Sequence, residues 1–490
     1  MKQTLSFRLQ TKSFWLAVLP CLLVFVLQTW ATWTFLQQGW EALAYPYPLD
    51  YGEGAVLDQV IRLASGQSLY RTDLAVPPYV INVYPPLYLG AQAPFFILSG
   101  PAFWYGRAVS LVCALAVALL LALTLRALTR NWVVSIIGGL AFLAVPYVLH
   151  WARLFRVDML ALFLSWAGLF IIVRWPKERW SFFVTIALLV ASIYTRQSYL
   201  LAAPLAAACW ILHQSGWKRA AAFVAWLAGL AAGIFVLLNL ATSGGFFFNT
   251  VTILGRQDVS IDIIRYYLEE LSTHVPWFLA ASALFIVAAL LKRGENPSGA
   301  FVLPYLVGSI VSALTIGKPG SNVNYLLELS AALCLSTAVF LAWLQRWPWL
   351  RALALVLLGL QIYTLGQWLH SDYYRTHYAE PRPENAQIAD LIRKTDGPVL
   401  TDEYIGLLLL ERRPVYIQPF DFAVLAQNGL WDQGPFLEML DRREFELIVI
   451  YNPYNALVRQ RWTKEMLQSI RSNYEQIEPV GENEIYRRRP

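Results

Sequence analysis

The chain has 490 residues, of which 57% are hydrophobic and 14% charged, a balance too apolar for a water-soluble protein of this size, so lipid must be part of its solvent. The formal net charge of +6 does not point to nucleic acid, because Lys and Arg fall mostly in short connections between apolar runs, where they report orientation. Cys21, Cys113, Cys209 and Cys334 all lie inside apolar runs with no CxxC or Cys/His spacing, which removes a disulfide framework and a zinc site.

The first apolar run follows Lys2, Arg8 and Lys12 but continues past Cys21 to about Leu36 without a small-residue cleavage site, so it reads as a retained span and not as a signal peptide. Further runs fall at about 103–125, 132–149, 159–173, 180–194, 199–212, 220–240, 276–291, 300–316, 325–343 and 352–369. With 14–36 they make about eleven predicted transmembrane helices. The apolar stretch 86–98 has the length of an interfacial or re-entrant segment. If it does not cross, Arg126/Arg130, Arg174/Lys177/Arg179, Lys218/Arg219, Lys292/Arg293 and Arg346/Arg351 share a side with the N-terminal cations, as the positive-inside rule requires. The same parity divides 180–212 into two short spans on either side of Arg196. The N-terminus is then cytoplasmic and the chain's end extracytoplasmic, in a multi-pass protein of the cell membrane. After His370 the composition becomes that of a soluble domain: 385–394 reads as an amphipathic helix, and 398–401 and 447–451 as strands. The expected organisation is a transmembrane domain over 1–370 and a small α/β domain over 371–490. That second domain shows no catalytic motif, and no internal repeat is visible elsewhere.

Charged residues outside the cytoplasmic clusters converge on the outer face. The first outer loop carries Asp50 and Glu53, followed by the apolar stripe Val56, Leu57, Val60, Ile61 and Ala64 of a surface helix. Tyr84-Pro85-Pro86-Leu87-Tyr88 opens the re-entrant helix, where proline is tolerated in the first turn. Later outer connections hold Arg153, Arg156 and Asp158, then Arg196 and Gln197, then Lys318, Asn322, Asn324 and Glu328. Carboxylates, cations and amides at one depth suit a ligand with a phosphate head and a tail in lipid, meeting a polar acceptor from outside. Each residue also has a plainer reading. Arg153 and Arg156 could snorkel to lipid phosphates, Asp158 could neutralise one of them, and Asp50 and Glu53 could cap the helix behind them. The tryptophans read as an interfacial belt, and the histidines lack metal spacing.

The outer-loop Asp50, the segment Tyr84 to Tyr88, Arg107 at the start of the next span and Arg156-Val157-Asp158 together resemble the GT-C fold glycosyltransferases, with Gly66 to Tyr70 a looser match. Within them the pattern is similar to the lipid-A aminoarabinose transferase and protein mannosyltransferase branch, with Arg196-Gln197 and Gly320 to Glu328 as further marks. The resemblance covers about 14–370. It implies GT-C-like surface helices in the outer loops and transfer of a sugar from a polyprenyl-phosphate carrier to a lipid, glycan or protein acceptor, with inversion at the anomeric carbon. By that resemblance Asp50 is the general base and Asp158 a second acid, while Glu53, three residues on, is the alternative catalytic carboxylate. Arg196, with Arg153 or Lys318, binds the donor phosphate, and Tyr84, Arg156, Gln197, Asn322, Asn324 and Glu328 line the substrate site. Asp50-Tyr51-Gly52-Glu53 stands where metal-dependent oligosaccharyltransferases carry D-x-D, so no metal ligands are assigned and no cofactor is expected, with a divalent ion left open. Rival readings are a secondary transporter, which would place ionisable groups at the midplane with inverted repeats, and a non-catalytic scaffold.

Overall fold

In a computed structural model of the chain, the structure describes residues 2–256, 258–291, 297–318, 320–369, 381–452 and 461–489, with side chains from residue 18 onward. Each of the eleven apolar runs forms helix. Among the described residues, six helices are long and apolar enough to cross a bilayer: Val18–Ala44, Trp104–Thr129, Trp217–Ala241, Gly299–Gly317, Val323–Arg346 and Pro348–Leu369. Two bent helix pairs bring the number to eight if each is one span, Trp132–Ala144 with Pro146–Ala152 at 63° and Ile261–His274 with Pro276–Leu291 at 95°. Both bends fall immediately before a proline, which has no N–H to continue the preceding ladder but sits well in the first turn of a new helix.

The remaining three runs are Asp158–Arg174 and Arg179–Thr195, of 17 residues each, and Ala202–Ser215, of 14 residues. At 1.5 Å per residue these are shorter than a full perpendicular crossing, so length and composition alone support six to eight spans where the hydropathy pattern predicts eleven. The short helices lie within the bundle. Asp158–Arg174 packs between Trp104–Thr129 and Arg179–Thr195, and Ala202–Ser215 packs on Gly299–Ala313. Arg179–Thr195 stops where Arg196 turns extended (φ −154°, ψ 121°), and a 3₁₀ turn over Gln197–Leu200 leads into the next helix. The predicted break at Arg196 is therefore a real interruption of the helix.

At one end of the bundle, the surface helix Tyr51–Ala64 packs against the short apolar helix Leu87–Ser99. Over them sits a C-terminal unit with a four-stranded sheet, β1 (Val399–Thr401), β2 (Leu447–Ile450), β3 (Tyr474–Val480) and β4 (Asn483–Arg488), in the order β1-β2-β4-β3. β1 and β2 are parallel and the other pairs antiparallel. The helix Asn385–Lys394 and the first two strands form where the sequence predicts them; the expected domain boundary at 370/371 lies outside the described residues.

This unit is built into the first loop. Tyr79 N–H donates to Tyr416 O at 2.7 Å and Gln418 N–H to Tyr79 O at 2.9 Å, and Trp431 Nε1 donates to Leu74 O at 2.8 Å. The Tyr79 ring stands edge-on to Phe422, Trp431 and Phe436 with centroids 5.1 to 5.8 Å apart. Leu74, Tyr79 and Ile81 thus belong to the same apolar core as Phe422, Phe436 and Ile448. Further along, the helix Tyr51–Ala64 meets Ile405–Leu410 so closely that a side chain on Gly54 would strike the Gly406 backbone, with Gly406 Cα 2.9 Å from an added Cβ.

Candidate active site

Asp50 is the N-cap of the surface helix, with extended backbone, and its carboxylate accepts the Gly52 N–H at 2.9 Å, satisfying one of the free donors of the first turn. Arg156 approaches it, with Nη1 3.5 Å from Asp50 Oδ1. The guanidinium occupies the space that a side chain on residue 52 would need, so the glycine is a steric requirement of the approach. On its other side Arg156 lies over the Trp151 ring, 5.1 Å from its centroid, and Tyr84 is within electrostatic reach. Burial pushes the Asp50 carboxyl above the usual carboxylate range. Arg156 opposes that rise, while Glu403 and Glu53 add to it.

Glu53 sits three residues on and is fully buried. Arg107 grips it in a two-pronged pair, Nε to Oε1 at 2.8 Å and Nη2 to Oε2 at 2.7 Å. Backbone N–H groups of Leu49 and Phe155 donate to the same carboxylate at 2.6 and 2.7 Å. Arg107 spends its remaining donors on the carbonyls of Ala42, Tyr45 and Tyr47. This node ties the end of the first helix, the surface loop and the 153–157 connection to Trp104–Thr129.

Asp158 opens its helix and is also fully buried. It forms an ion pair with Arg196 and accepts hydrogen bonds from Trp151 Nε1 at 2.6 Å and Asn324 Nδ2 at 3.1 Å. The Tyr199 hydroxyl donates to its carbonyl at 3.3 Å. The Arg196 guanidinium lies 4.6 Å from the Tyr325 ring centroid, and Glu328, buried in the first turn of Leu327–Trp343, is within electrostatic reach. Trp151 is therefore the shared wall between two carboxylate–arginine pairs: its ring underlies Arg156 and its N–H holds Asp158. Among the described residues, Arg156 Nε, Asn324 Oδ1, Glu328 Oε1 and the Tyr51 hydroxyl are buried without a hydrogen-bond partner in the protein, polar capacity that a ligand can satisfy.

The structure thus gathers Asp50, Tyr84 and Arg156 in one group and Asp158, Arg196, Asn324 and Glu328 in its neighbour. The other expected residues are engaged elsewhere. Arg153 reaches Gln38 on the first helix at 3.3 Å, Lys318 Nζ donates to Leu254 O at 3.2 Å, and Gln197 Nε2 donates to Val83 O at 2.8 Å. Asn322 accepts from Val323 N–H at 2.7 Å as the cap of the turn that carries Asn324. Sequence reasoning missed Trp151 and Tyr199, which have no charge pattern to mark them, and missed the contribution of the C-terminal unit; Tyr325 lies in the Gly320 to Glu328 stretch that carried the resemblance. There Glu403 pairs with Arg382 at 2.7 Å and with Arg461, whose guanidinium lies 4.6 Å from the Tyr51 ring centroid.

Solved structures give the frame a wider context. ArnT from Cupriavidus metallidurans bound to undecaprenyl phosphate superposes with a TM-score of 0.61 at 14% identity, covering 94% of this chain and 97% of that one. The archaeal oligosaccharyltransferase AglB from Archaeoglobus fulgidus, in complex with an inhibitory peptide and a dolichol-phosphate, gives 0.57 at 9% identity over 98% of this chain and 74% of that one. The chain has the GT-C fold. A third GT-C structure, the arabinofuranosyltransferase AftD from Mycobacteria, gives 0.51 at 16% identity, and this chain spans 40% of its length. No family model matches the sequence, and no curated protein does. At these identities the likeness is one of fold.

Proposed function

We propose that this protein is a membrane-embedded glycosyltransferase that moves a sugar from a polyprenyl-phosphate carrier to a hydroxyl-bearing acceptor on the outer side of the membrane, with Asp50 as general base. The observation that carries the reading is the pair of carboxylate–arginine units on either side of Trp151, set on a GT-C frame beside buried polar atoms without protein partners. That one structural neighbour holds undecaprenyl phosphate and another a dolichol-phosphate supports the carrier class.

In the proposed step the acceptor oxygen attacks the anomeric carbon from the face opposite the carrier. The new C–O bond forms, the bond to the phosphate oxygen breaks with its electron pair, and the acceptor proton passes to Asp50. A hydroxyl is a poor nucleophile, and a positioned base contributes on the order of 10² to 10⁴ in rate. Burial raises the basicity of Asp50, while Arg156 keeps enough of it ionised to act. The leaving phosphate gathers charge, which an arginine in a water-poor site stabilises strongly. Arg196 is assigned that role, held ready by Asp158 and the Tyr325 face. Glu53 is assigned a structural role, since an arginine and two backbone donors already occupy its carboxylate.

The test uses purified full-length protein, undecaprenyl phosphate and a panel of its monosaccharide derivatives. Arg196→Ala should weaken binding of undecaprenyl phosphate about tenfold to a hundredfold, the loss of a charge-assisted contact of about 1.5 to 3 kcal/mol. Arg196→Lys should restore part of it, because the charge returns without the planar fork. Asp50→Asn should leave that binding nearly unchanged and cut transfer by about 10² to 10⁴. Normal turnover in Asp50→Asn would remove Asp50 from the chemistry.

A further inference from the structure

The C-terminal unit also reaches into the site. Its helix Pro419–Gln427 starts directly above the first loop: Gln418 Oε1 accepts Ile81 N–H at 3.1 Å, and the Phe420 ring lies where a side chain on Gly320 would be, 2.7 Å from an added Cβ. Those two contacts anchor the residues on either side of position 419 to two different loops of the membrane part. Asp421 follows in the first turn, half-buried, and lies within electrostatic reach of both Arg156 and Tyr51, the residue after Asp50. No ion pair within 4 Å engages Asp421 among the described residues, and the Tyr51 hydroxyl, within its electrostatic reach, is buried without a hydrogen-bond partner in the protein. Burial pushes the Asp421 carboxyl up to about 7, with Arg156 opposing the rise.

A carboxylate that is partly withdrawn from water without hydrogen-bond donors costs free energy that a ligand carrying donors recovers. Above its raised midpoint the carboxylate only accepts hydrogen bonds, so it repels a phosphate, and the Arg156 guanidinium within electrostatic reach repels an ammonium. Adjacent hydroxyls on a sugar ring remain: they donate to both carboxylate oxygens and accept from the free phenol of Tyr51. We propose that Asp421, with Tyr51, is the sugar-recognising element of the site, supplied by the C-terminal unit to a centre otherwise built from membrane loops. This rests on the transferase reading above. The sugar could belong to the donor or to the acceptor.

Binding measurements on the full-length protein separate these sources, using bare undecaprenyl phosphate, undecaprenyl-phosphate monosaccharides and free methyl glycosides. Asp421→Asn should bind bare undecaprenyl phosphate within about twofold of wild type, which also shows that the variant is folded, and should lose about tenfold or more of the affinity that a sugar adds. Tyr51→Phe should lose less, in the same direction. Loss confined to the carrier-linked sugars assigns Asp421 to the donor; loss confined to methyl glycosides assigns it to the acceptor. Equal changes on bare and glycosylated carrier, no change on any carrier-linked sugar or methyl glycoside, or a wild type that gains nothing from any sugar overturns the proposal. If wild type fails to bind undecaprenyl phosphate at all, the transferase reading falls, and the methyl glycosides alone then decide the role of Asp421.

Discussion

Three residues separate Asp50 from Glu53, and their surroundings divide their roles. Glu53 is fully buried, with an arginine fork on one side and two backbone donors on the other. Removing one partner of such a pair leaves the other charge uncompensated, so Glu53→Gln should destabilise the protein by about 3 to 5 kcal/mol, read as a large fall in Tm in detergent. Asp50→Asn should shift Tm little, because Asp50 lies at the loop edge with only one N–H and a longer ion contact. The pH dependence follows with a definite sign. Asp50 must be ionised to accept a proton and its carboxyl is raised by burial, so transfer rises with pH through a midpoint above the ordinary carboxylate value and falls on the acid side. An acid limb centred at about 4 or below would contradict the assignment. At this scale charge and predicted topology single out Asp50, Asp158 and Arg196, and each forms part of a carboxylate–arginine pair in the structure. Trp151 was not legible, being one of 20 tryptophans with nothing in its spacing to distinguish a site wall from an interfacial anchor.

Among the elements, the break at Arg196 was legible because a tight polar connection announces it; the bends before Pro146 and Pro276 were not, since 132–149 reads as one apolar run and 261–274 belongs to none. β3 and β4 were not. The β3 segment Tyr474–Val480 exposes Glu475, Gln476, Glu478 and Pro479 and buries only its first residue, so the period-two alternation that marks a strand is absent; pairing with β4 makes it a strand. The seam between Tyr51–Ala64 and Ile405–Leu410 could not be foreseen either, since it depends on two glycines far apart in the chain. Gly54→Ala would place a methyl group against the Gly406 backbone, and should raise the protease sensitivity of the C-terminal unit without unfolding the membrane helices. Within that unit, burial favours a raised Glu403 carboxyl, but Arg461 and Arg382 outweigh it and hold the group below the ordinary range. A carboxyl lowered on folding contributes stability above its unfolded pKa and loses it as pH falls through the folded one. Asp402, raised by burial, acts in the opposite sense, so the informative quantity is the difference: Glu403→Gln should flatten the acid limb of the stability curve relative to wild type.

For the molecule as a whole, the packing of the C-terminal unit onto the loop around Tyr79 puts both on one face. The positive-inside parity of the sequence predicts that this face is the outer one, so cysteines placed singly at Asn428 and Lys218 should react with an impermeant thiol reagent from opposite sides of the membrane. Labelling of both from one side would take the site away from the outer surface. The parallel bridge between Tyr79 and Ile417 has a consequence for synthesis. The helices through Leu369 are made well before Ile417, so the loop that carries Asp50 must wait, without its covering core of Phe422, Trp431 and Phe436, until that later segment has emerged and folded. A nascent chain stalled before Ile417 leaves Leu74, Tyr79 and Ile81 without their apolar partners, a bare surface that invites chaperone capture and quality-control proteolysis.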